Sequence, residues 1–153
     1  MANLNQFCDF TKLIGIDIAK SVFQIYSCDT QTGEIFNAQV KRNKVPESFA
    51  NCAKCLIGME ACGSSQYWAC KMQALGHTVR LMDPKLVKPF VQHNKSDKAD
   101  AEGISHAMVS RVRFVAVKTE TESDIQTLLT MPALLVKKRT ARINHVRLSL
   151  IHI

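Results

Sequence analysis

The sequence predicts an α/β protein built on a mixed sheet, and three observations support this class. In the first third of the chain, short apolar runs rich in β-branched residues alternate with turn residues, which is typical of neighbouring strands. Later apolar runs alternate with helical segments, and such crossovers add parallel strands to a sheet. The chain has 153 residues, 46% of them hydrophobic, which suits one compact domain with a true core and a short appendage.

The first three strands are predicted at residues 12–18, 21–28 and 34–40 and form an antiparallel meander. Turn-forming residues at 29–33 separate the second strand from the third. Asp17 lies between Ile16 and Ile18 in the first of these apolar strands. Burying an ionised carboxylate there is costly unless a metal, hydrogen bonds or a cation compensates for its charge. Asp17 is therefore the first candidate functional residue.

The next elements alternate between helix and strand. They are a short helix opened by residues 46–48, a strand at 55–60, a helix at 63–75, a strand at 77–82 and a helical turn from 83 to about 91. Glu60 ends the fourth strand, and the helix at 63–75 stops at Gly76. In α/β sheets, functional groups gather beyond the carboxyl ends of the strands where the strand order reverses. Asp17 and Glu60 can meet at that edge.

A polar stretch at 92–96 precedes a helix predicted over residues 97–108. Ser96 or Asp97 can cap this helix, and Asp97 and Asp100 share one face with Cβ atoms roughly 5–6 Å apart. Acids in a first turn also complement the helix dipole, so the residues alone leave both roles open for these two. Glu102 is assigned the dipole role only.

From residue 116 to residue 153 the chain is predicted to form a helical extension outside the sheet domain of residues 1–115. Its start is acidic, and apolar residues follow at helical spacing as far as Leu135. Pro132 is expected to kink or break this helix. No acid follows Asp124, and the basic residues of this last segment include Lys137, Lys138, Arg139 and Arg142.

The chain is basic overall. Lys and Arg number 20 against 13 Asp and Glu, which gives a net charge of +7 and a pI near 9.2. A polyanion such as nucleic acid is the first partner to test, although a solvated basic surface explains the charge equally well. Tyr67 and Trp68 are expected to pack in the core rather than to stack on bases.

No membrane span or signal peptide is evident, so a cytoplasmic protein is expected. Every apolar run is shorter than the roughly 20 residues that a span requires, and the first eleven residues lack a charged-then-apolar layout. Cys52 and Cys55 have the spacing of metal ligands, but no second pair follows at the interval of a zinc site. We therefore expect reduced thiols and assign no zinc.

Four acids carry the chemistry that the sequence suggests: Asp17, Glu60, Asp97 and Asp100. Carboxylate oxygens are the ligands that Mg²⁺ and Mn²⁺ prefer. Two such ions roughly 3.5–4 Å apart can clamp the attacking and leaving oxygens of a phosphodiester. Lys20, Lys95 and Lys98 lie near the acids in sequence and are candidate phosphate contacts, although solvated lysines would look the same.

Several motifs resemble those of the DEDD transposases of bacterial insertion sequences, the IS110 family. They are GIDIAKSVFQ at 15–24, GMEACGSSQYWA at 58–69, LGHTVRLMDPKLVKPFVQHNKSDKADAEGI at 75–104 and VKKRTARIN at 136–144. The resemblance covers residues 13–144 and implies a RuvC-like domain of the RNase H-like superfamily. This domain would contain a mixed five-stranded sheet with helices on both faces.

The resemblance also implies a role for each acid and a set of partners. Asp17, Glu60, Asp97 and Asp100 would be the metal-binding DEDD tetrad with Mg²⁺ or Mn²⁺, acting in DNA recombination guided by a structured RNA in a bacterial cytoplasm. Family members form homo-oligomers and continue through a coiled coil into a second domain that carries a nucleophilic serine. We therefore expect residues 116–153 to begin that coiled coil, and the segment to be inactive alone.

Two alternatives remain open at this stage. The chain can be a fragment that binds nucleic acid without reacting. Alternatively, Gly15-Ile16-Asp17 can be the first phosphate motif of an actin-like ATPase, although the second glycine-rich Asp motif that such a protein needs does not appear.

Overall fold

A computed structural model describes residues 10–91, 97–110 and 112–151, with the backbone but not the side chain of Asp97. The chain divides into two compact units, Met1–Val117 and Lys118–Ile153. The sequence predicts this boundary after residue 115. The first unit contains the sheet, and the second contains one long helix.

The sheet has six strands in the order β3-β2-β1-β4-β5-β6. The strands are β1 (Lys12–Ile18), β2 (Val22–Asp29), β3 (Ile35–Lys41), β4 (Cys55–Glu60), β5 (Thr78–Met82) and β6 (Phe114–Val115). The first three strands pair antiparallel, while β4 joins β1 and β5 joins β4 in parallel. The predicted mixed α/β sheet is therefore confirmed, in the arrangement expected of an RNase H-like fold.

The predicted number of five strands is wrong by one. The sixth strand, β6, pairs antiparallel with the end of β5 and contains only two residues. A strand of this length shows no alternation of apolar and polar residues, so its sequence carries no recognisable pattern.

Helices cover both faces of the sheet. On one face lie α1 (Val45–Ala50) and α2 (Ser65–Ala74), and on the other lie α3 (Pro84–Val87) and α4 (Asp97–Val109). Because side chains alternate along each strand, Ile14 and Ile57 pack toward α1 and α2, whereas their neighbours Leu13 and Leu56 pack toward α4. Each face thus has its own hydrophobic core.

Local residues explain where several elements begin and end. Gly76 has a φ of 90°, a left-handed conformation that ends α2. The Asp83 carboxylate accepts a hydrogen bond from the Lys85 N–H and caps α3. His77, just before β5, is buried. Its Nδ1 accepts a hydrogen bond from the Cys55 N–H of β4, and its Nε2 lies 3.2 Å from the Phe49 carbonyl oxygen of α1. His77 thus ties β4 to α1.

The second unit is the helix α5 (Glu120–Ser149). A capping box formed by Thr119 and Glu122 starts it. The helix continues through Pro132, so of the predicted kink or break, the break does not occur. Proline lacks the N–H that would donate to the carbonyl of Leu128, and Leu128 is an exposed residue. Within the described ranges, no helix has the length and apolar character needed to cross a membrane.

Candidate metal centre

Asp17 and Glu60 lie side by side at the carboxyl ends of neighbouring strands. Ile16 of β1 is paired with Met59 of β4 in a parallel register, and each acid is the next residue along its strand. Both side chains are half-buried. They share the sheet face that packs against α4, because Asp17 alternates with Leu13 and Glu60 with Leu56.

The helix α4 lies directly on β1 at Gly15. A Cβ atom at Gly15 would lie 2.1 Å from the Ala101 carbonyl oxygen and 2.9 Å from the Ser105 nitrogen. Only glycine permits this approach of strand and helix backbones. The contact is two residues before Asp17 in β1 and one residue after Asp100 in α4, so it brings the two acids to the same end of the sheet.

Two of the predicted acids act electrostatically on a third, Glu60. Burial raises the pKa of the Glu60 carboxyl above its ordinary value, and the negative charges of Asp17 and Asp100 raise it further. Like charges within one half-buried site disfavour ionisation unless a cation neutralises them. We call Asp17, Glu60 and Asp100 the acid cluster, because the charges of the first and the last reach the Glu60 carboxyl.

Asp97, the fourth predicted acid, is the first residue of α4, and its side chain lies outside the described residues. Among the side chains that the structure does describe, no group of three or more His, Cys, Asp or Glu is arranged to hold a metal ion. The carboxylates of the acid cluster nevertheless have the donor chemistry that a hard divalent cation requires. The described side chains thus supply suitable donors but do not enclose an ion by themselves.

Comparison with known proteins assigns the family. A family model described as a transposase, of the DEDD IS110 type, matches residues 14–153. The chain belongs to the IS110-type transposase family. This confirms the resemblance carried by the sequence motifs.

Two bacterial proteins show how far the similarity extends. The chain is 43% identical over 136 residues to a Pseudomonas aeruginosa protein named "Probable family 20 transposase", which covers 88% of this chain and 40% of that protein. It is 39% identical over 137 residues to the "Transposase for insertion sequence element IS1111A" of Coxiella burnetii, which covers 89% of this chain and 38% of that protein. The chain thus spans about two fifths of the relatives that it matches.

The predicted nucleic-acid contacts fall in three places on this IS110-type chain. Lys20 is exposed shortly after the end of β1, and Lys98 is exposed in the first turn of α4. Lys95 lies outside the described residues. The remaining four lie on α5, where all are exposed: Lys137, Lys138, Arg139 and Arg142.

Sequence reasoning missed three residues around the acid cluster. Gly15 permits the close approach of α4, and a glycine inside a strand is a recognisable signal for such a contact. Tyr26 is paired with Gly15 across β1 and β2 and is buried, with its ring centroid 6.4 Å from that of His106. Burial raises the pKa of the Tyr26 hydroxyl, and the negative charge of Glu102 raises it further. Gln24 is buried directly opposite Asp17 and bonds to Asn37. The antiparallel pairing predicted for the first two strands was the available signal, but it did not specify which residues lie opposite Gly15 and Asp17.

The expectation that Tyr67 and Trp68 both pack in the core was only partly right. Trp68 is buried as expected, but Tyr67 is 55% exposed and does not pack in the core. The five described cysteines are free thiols, and burial raises the pKa of the Cys55 thiol, which makes it a poor nucleophile.

Proposed function

We propose that this chain is the metal-dependent catalytic domain of a DNA transposase, acting on phosphodiesters through Asp17, Glu60, Asp97 and Asp100. The observation that supports the proposal is the position of Asp17 and Glu60 at the ends of the paired strands β1 and β4, with Asp100 near enough for its charge to raise the pKa of Glu60. Family membership supports the reaction class, because the relatives are named as transposases.

In this proposal, two of the acids are held by strands and two by a helix. Asp17 and Glu60 are held rigidly by neighbouring strands, and the Gly15 contact fixes the helix that carries Asp97 and Asp100. Together they would hold Mg²⁺ or Mn²⁺, which when bound stabilises negative charge on the attacking and leaving oxygens of a phosphodiester. The mutual repulsion that raises the pKa of Glu60 is relieved when a cation binds.

The partners follow from the family and the charge. DNA would be the substrate, and a structured RNA would guide its recognition, with the net charge of +7 attracting both. The apolar residues Leu129, Val136 and Ile143 recur at seven-residue intervals on exposed positions of α5, and Leu150 continues this spacing just after the helix ends, which favours a coiled coil between copies of the chain. Because the chain spans about two fifths of its relatives, we propose that residues 1–153 alone do not complete transposition.

A second candidate function is nucleic-acid binding without catalysis. The exposed basic residues of α5 favour it, because they offer phosphate contacts that do not depend on the acid cluster. Family membership favours both of these functions over the actin-like ATPase.

The test is calorimetric titration of Mn²⁺ and Mg²⁺ into the 153-residue chain and its variants. Wild type is expected to bind, and Asp17→Asn and Asp100→Asn are each expected to weaken binding at least tenfold, since each removes a charged ligand. Glu102→Gln is the matched control, because Glu102 is an exposed acid on the same helix as Asp100.

Two results would contradict the metal site. Equal loss of affinity in Glu102→Gln would show only a diffuse attraction of cations to acidic residues. Unchanged affinity in Asp17→Asn and Asp100→Asn would place any bound metal elsewhere. Steeply salt-dependent binding of nucleic acid without metal binding at the acid cluster would instead favour the non-catalytic function.

A further inference from the structure

A second surface of the first unit has the composition of a ligand site. It is a groove of about 710 Å³ lined by Ser21, Val22, Lys41, Arg42, Asn43, Pro46, Tyr67, Trp68 and Lys71. Three of these residues are cations and none is an acid. We call it the basic-aromatic groove.

Several elements build the groove where β1 ends. The turn between β1 and β2 supplies Ser21, and the start of β2 supplies Val22. The Arg42 N–H donates to the Ser21 carbonyl oxygen at 3.0 Å. This bond fixes the end of β3 against the turn. The other wall is α2, which carries Tyr67, Trp68 and Lys71 on its first two turns. The groove is thus formed by ordered secondary structure.

Aromatic rings hold two of the cations in place. The guanidinium of Arg42 lies 5.3 Å from the Trp68 ring centroid and 5.6 Å from that of Phe23. The Lys71 ammonium lies 5.0 Å from the Tyr67 ring centroid. Arg42 is half-buried, and within the described part of the chain neither cation forms a salt bridge to a carboxylate. Among the described residues, no carboxylate therefore neutralises their charges.

We propose that the basic-aromatic groove binds a single-stranded segment of nucleic acid, with phosphates on Lys41, Arg42 and Lys71 and one base stacked on Tyr67. A positively charged groove with an accessible aromatic ring is the usual recognition surface for unpaired strands. Tyr67 leaves more than half of its side chain exposed beside the cations, which makes it available for stacking. The volume lies within the range of about 300–1,000 Å³ that is typical of small-ligand sites, so one nucleotide fits.

The position of the groove relates it to the proposed function, on which this inference rests. The groove lies on the sheet face covered by α1 and α2, while the acid cluster lies on the α4 face. Both are at the end of the sheet where β1 and β4 terminate, and α2 follows Glu60 in the chain. A nucleic-acid strand bound in the groove would therefore extend toward the acid cluster. The groove would bind nucleotides next to the phosphodiester that reacts, not that phosphodiester itself.

The experiment uses the full 153-residue chain with fluorescently labelled 12-nucleotide single strands of oligothymidylate and oligouridylate. Anisotropy measures affinity, and the fluorescence of Trp68, the single tryptophan, reports whether the groove itself is occupied. We expect Tyr67→Ala to weaken binding by about tenfold to a hundredfold, as for other stacked bases. Tyr67→Phe retains the ring and is expected to bind like wild type.

The charge contribution is tested separately. Arg42→Gln and Lys71→Gln are each expected to make the slope of log affinity against log salt less steep by about 0.7, the value for one phosphate contact on a single strand. Lys54→Gln is the matched control, because Lys54 is an exposed cation just before β4, at the opposite end of the sheet. It is expected to leave the slope and the Trp68 signal unchanged.

The outcomes separate this inference from the proposed function. If the chain binds one of the two oligonucleotides more tightly than the other, this result supports the groove. The preferred oligonucleotide then identifies DNA or RNA as the source of the unpaired strand. Equal binding by Tyr67→Ala and wild type, or a Trp68 signal that does not change, would overturn the groove whatever the metal titrations show. If the wild-type chain did not bind Mn²⁺ or Mg²⁺, the metal site at the acid cluster would be overturned, but the groove would not.

Discussion

Replacing Gly15 by alanine tests whether the contact between β1 and α4 creates the acid cluster. The added Cβ would lie 2.1 Å from the Ala101 carbonyl oxygen, whereas ordinary contact begins near 3.4 Å. The strand and helix would therefore have to separate by about 1.3 Å, the difference between these distances. Both groups that clash with the new atom belong to backbone, so no side chain can rotate away to relieve it.

The expected cost follows from this geometry. Overpacking of a well-packed core costs about 1–3 kcal/mol, and a clash with backbone falls at the upper end. Alanine recovers about 0.4–1 kcal/mol by restricting the unfolded chain. We therefore expect Gly15→Ala to lower the free energy of unfolding by about 2 kcal/mol. A shift of more than about 0.5 Å also exceeds what a preorganised site tolerates, so Mn²⁺ affinity should fall even in the folded fraction.

Urea denaturation and Mn²⁺ calorimetry on the same samples measure both effects. Gly63→Ala is the control, since a Cβ there meets no atom within 4 Å, and it should change stability by no more than about 0.5 kcal/mol. Gly58→Ala should fall between the two, because its Cβ would meet only the side chains of Met108, Met82 and Ile104, at 3.0–3.2 Å. If Gly15→Ala behaved like Gly63→Ala, the close contact would not hold α4 in place.

Two further substitutions probe the site and its support. Burial and the charges of Asp17 and Asp100 raise the pKa of Glu60 in the folded chain. The ionised Glu60 therefore destabilises the folded state at pH values above that raised pKa. This destabilisation disappears below the ordinary pKa of 4.5, where Glu60 is protonated in both the folded and the unfolded chain. Glu60→Gln should therefore stabilise the metal-free chain at neutral pH but not below pH 4.5, and urea melts that show no such pH dependence would contradict it. His77→Leu removes the partners of the Cys55 N–H and the Phe49 carbonyl, so it should cost about 1–3 kcal/mol in the same melts. A loss below 0.5 kcal/mol would show that these bonds add little to stability.

The sheet was predictable because its signals are local. The runs at 12–18 and 55–60 coincide with β1 and β4, and the turn residues at 29–33 place the β2–β3 hairpin correctly. Their β-branched residues and turns act within a few positions, which a pattern can detect. β6 was missed because two residues carry no pattern, and its strand pairing depends on the tertiary position of β5.

Pro132 and Tyr67 show where local rules gave the wrong answer. A proline removes one helical hydrogen bond, but twelve helical residues precede Pro132 and more follow it, and the helix stays continuous around it. Tyr67 follows Gln66 and precedes the buried Trp68 on a helix with no strong division between apolar and polar faces. Whether such a ring is buried depends on which elements cover that part of α2, and the sequence does not specify this.

The acid cluster illustrates how much of a site sequence can supply. The residue types and their places at strand ends were available from the pattern, and they are sufficient to nominate Asp17 and Glu60. Asp100 is different, because its helix is separated from β4 by β5 and α3 in the chain. What brings it to the strands is the missing side chain of Gly15, which lets α4 lie against β1 at backbone distance. The absence of a side chain at one strand position therefore determines the site as much as the carboxylates do.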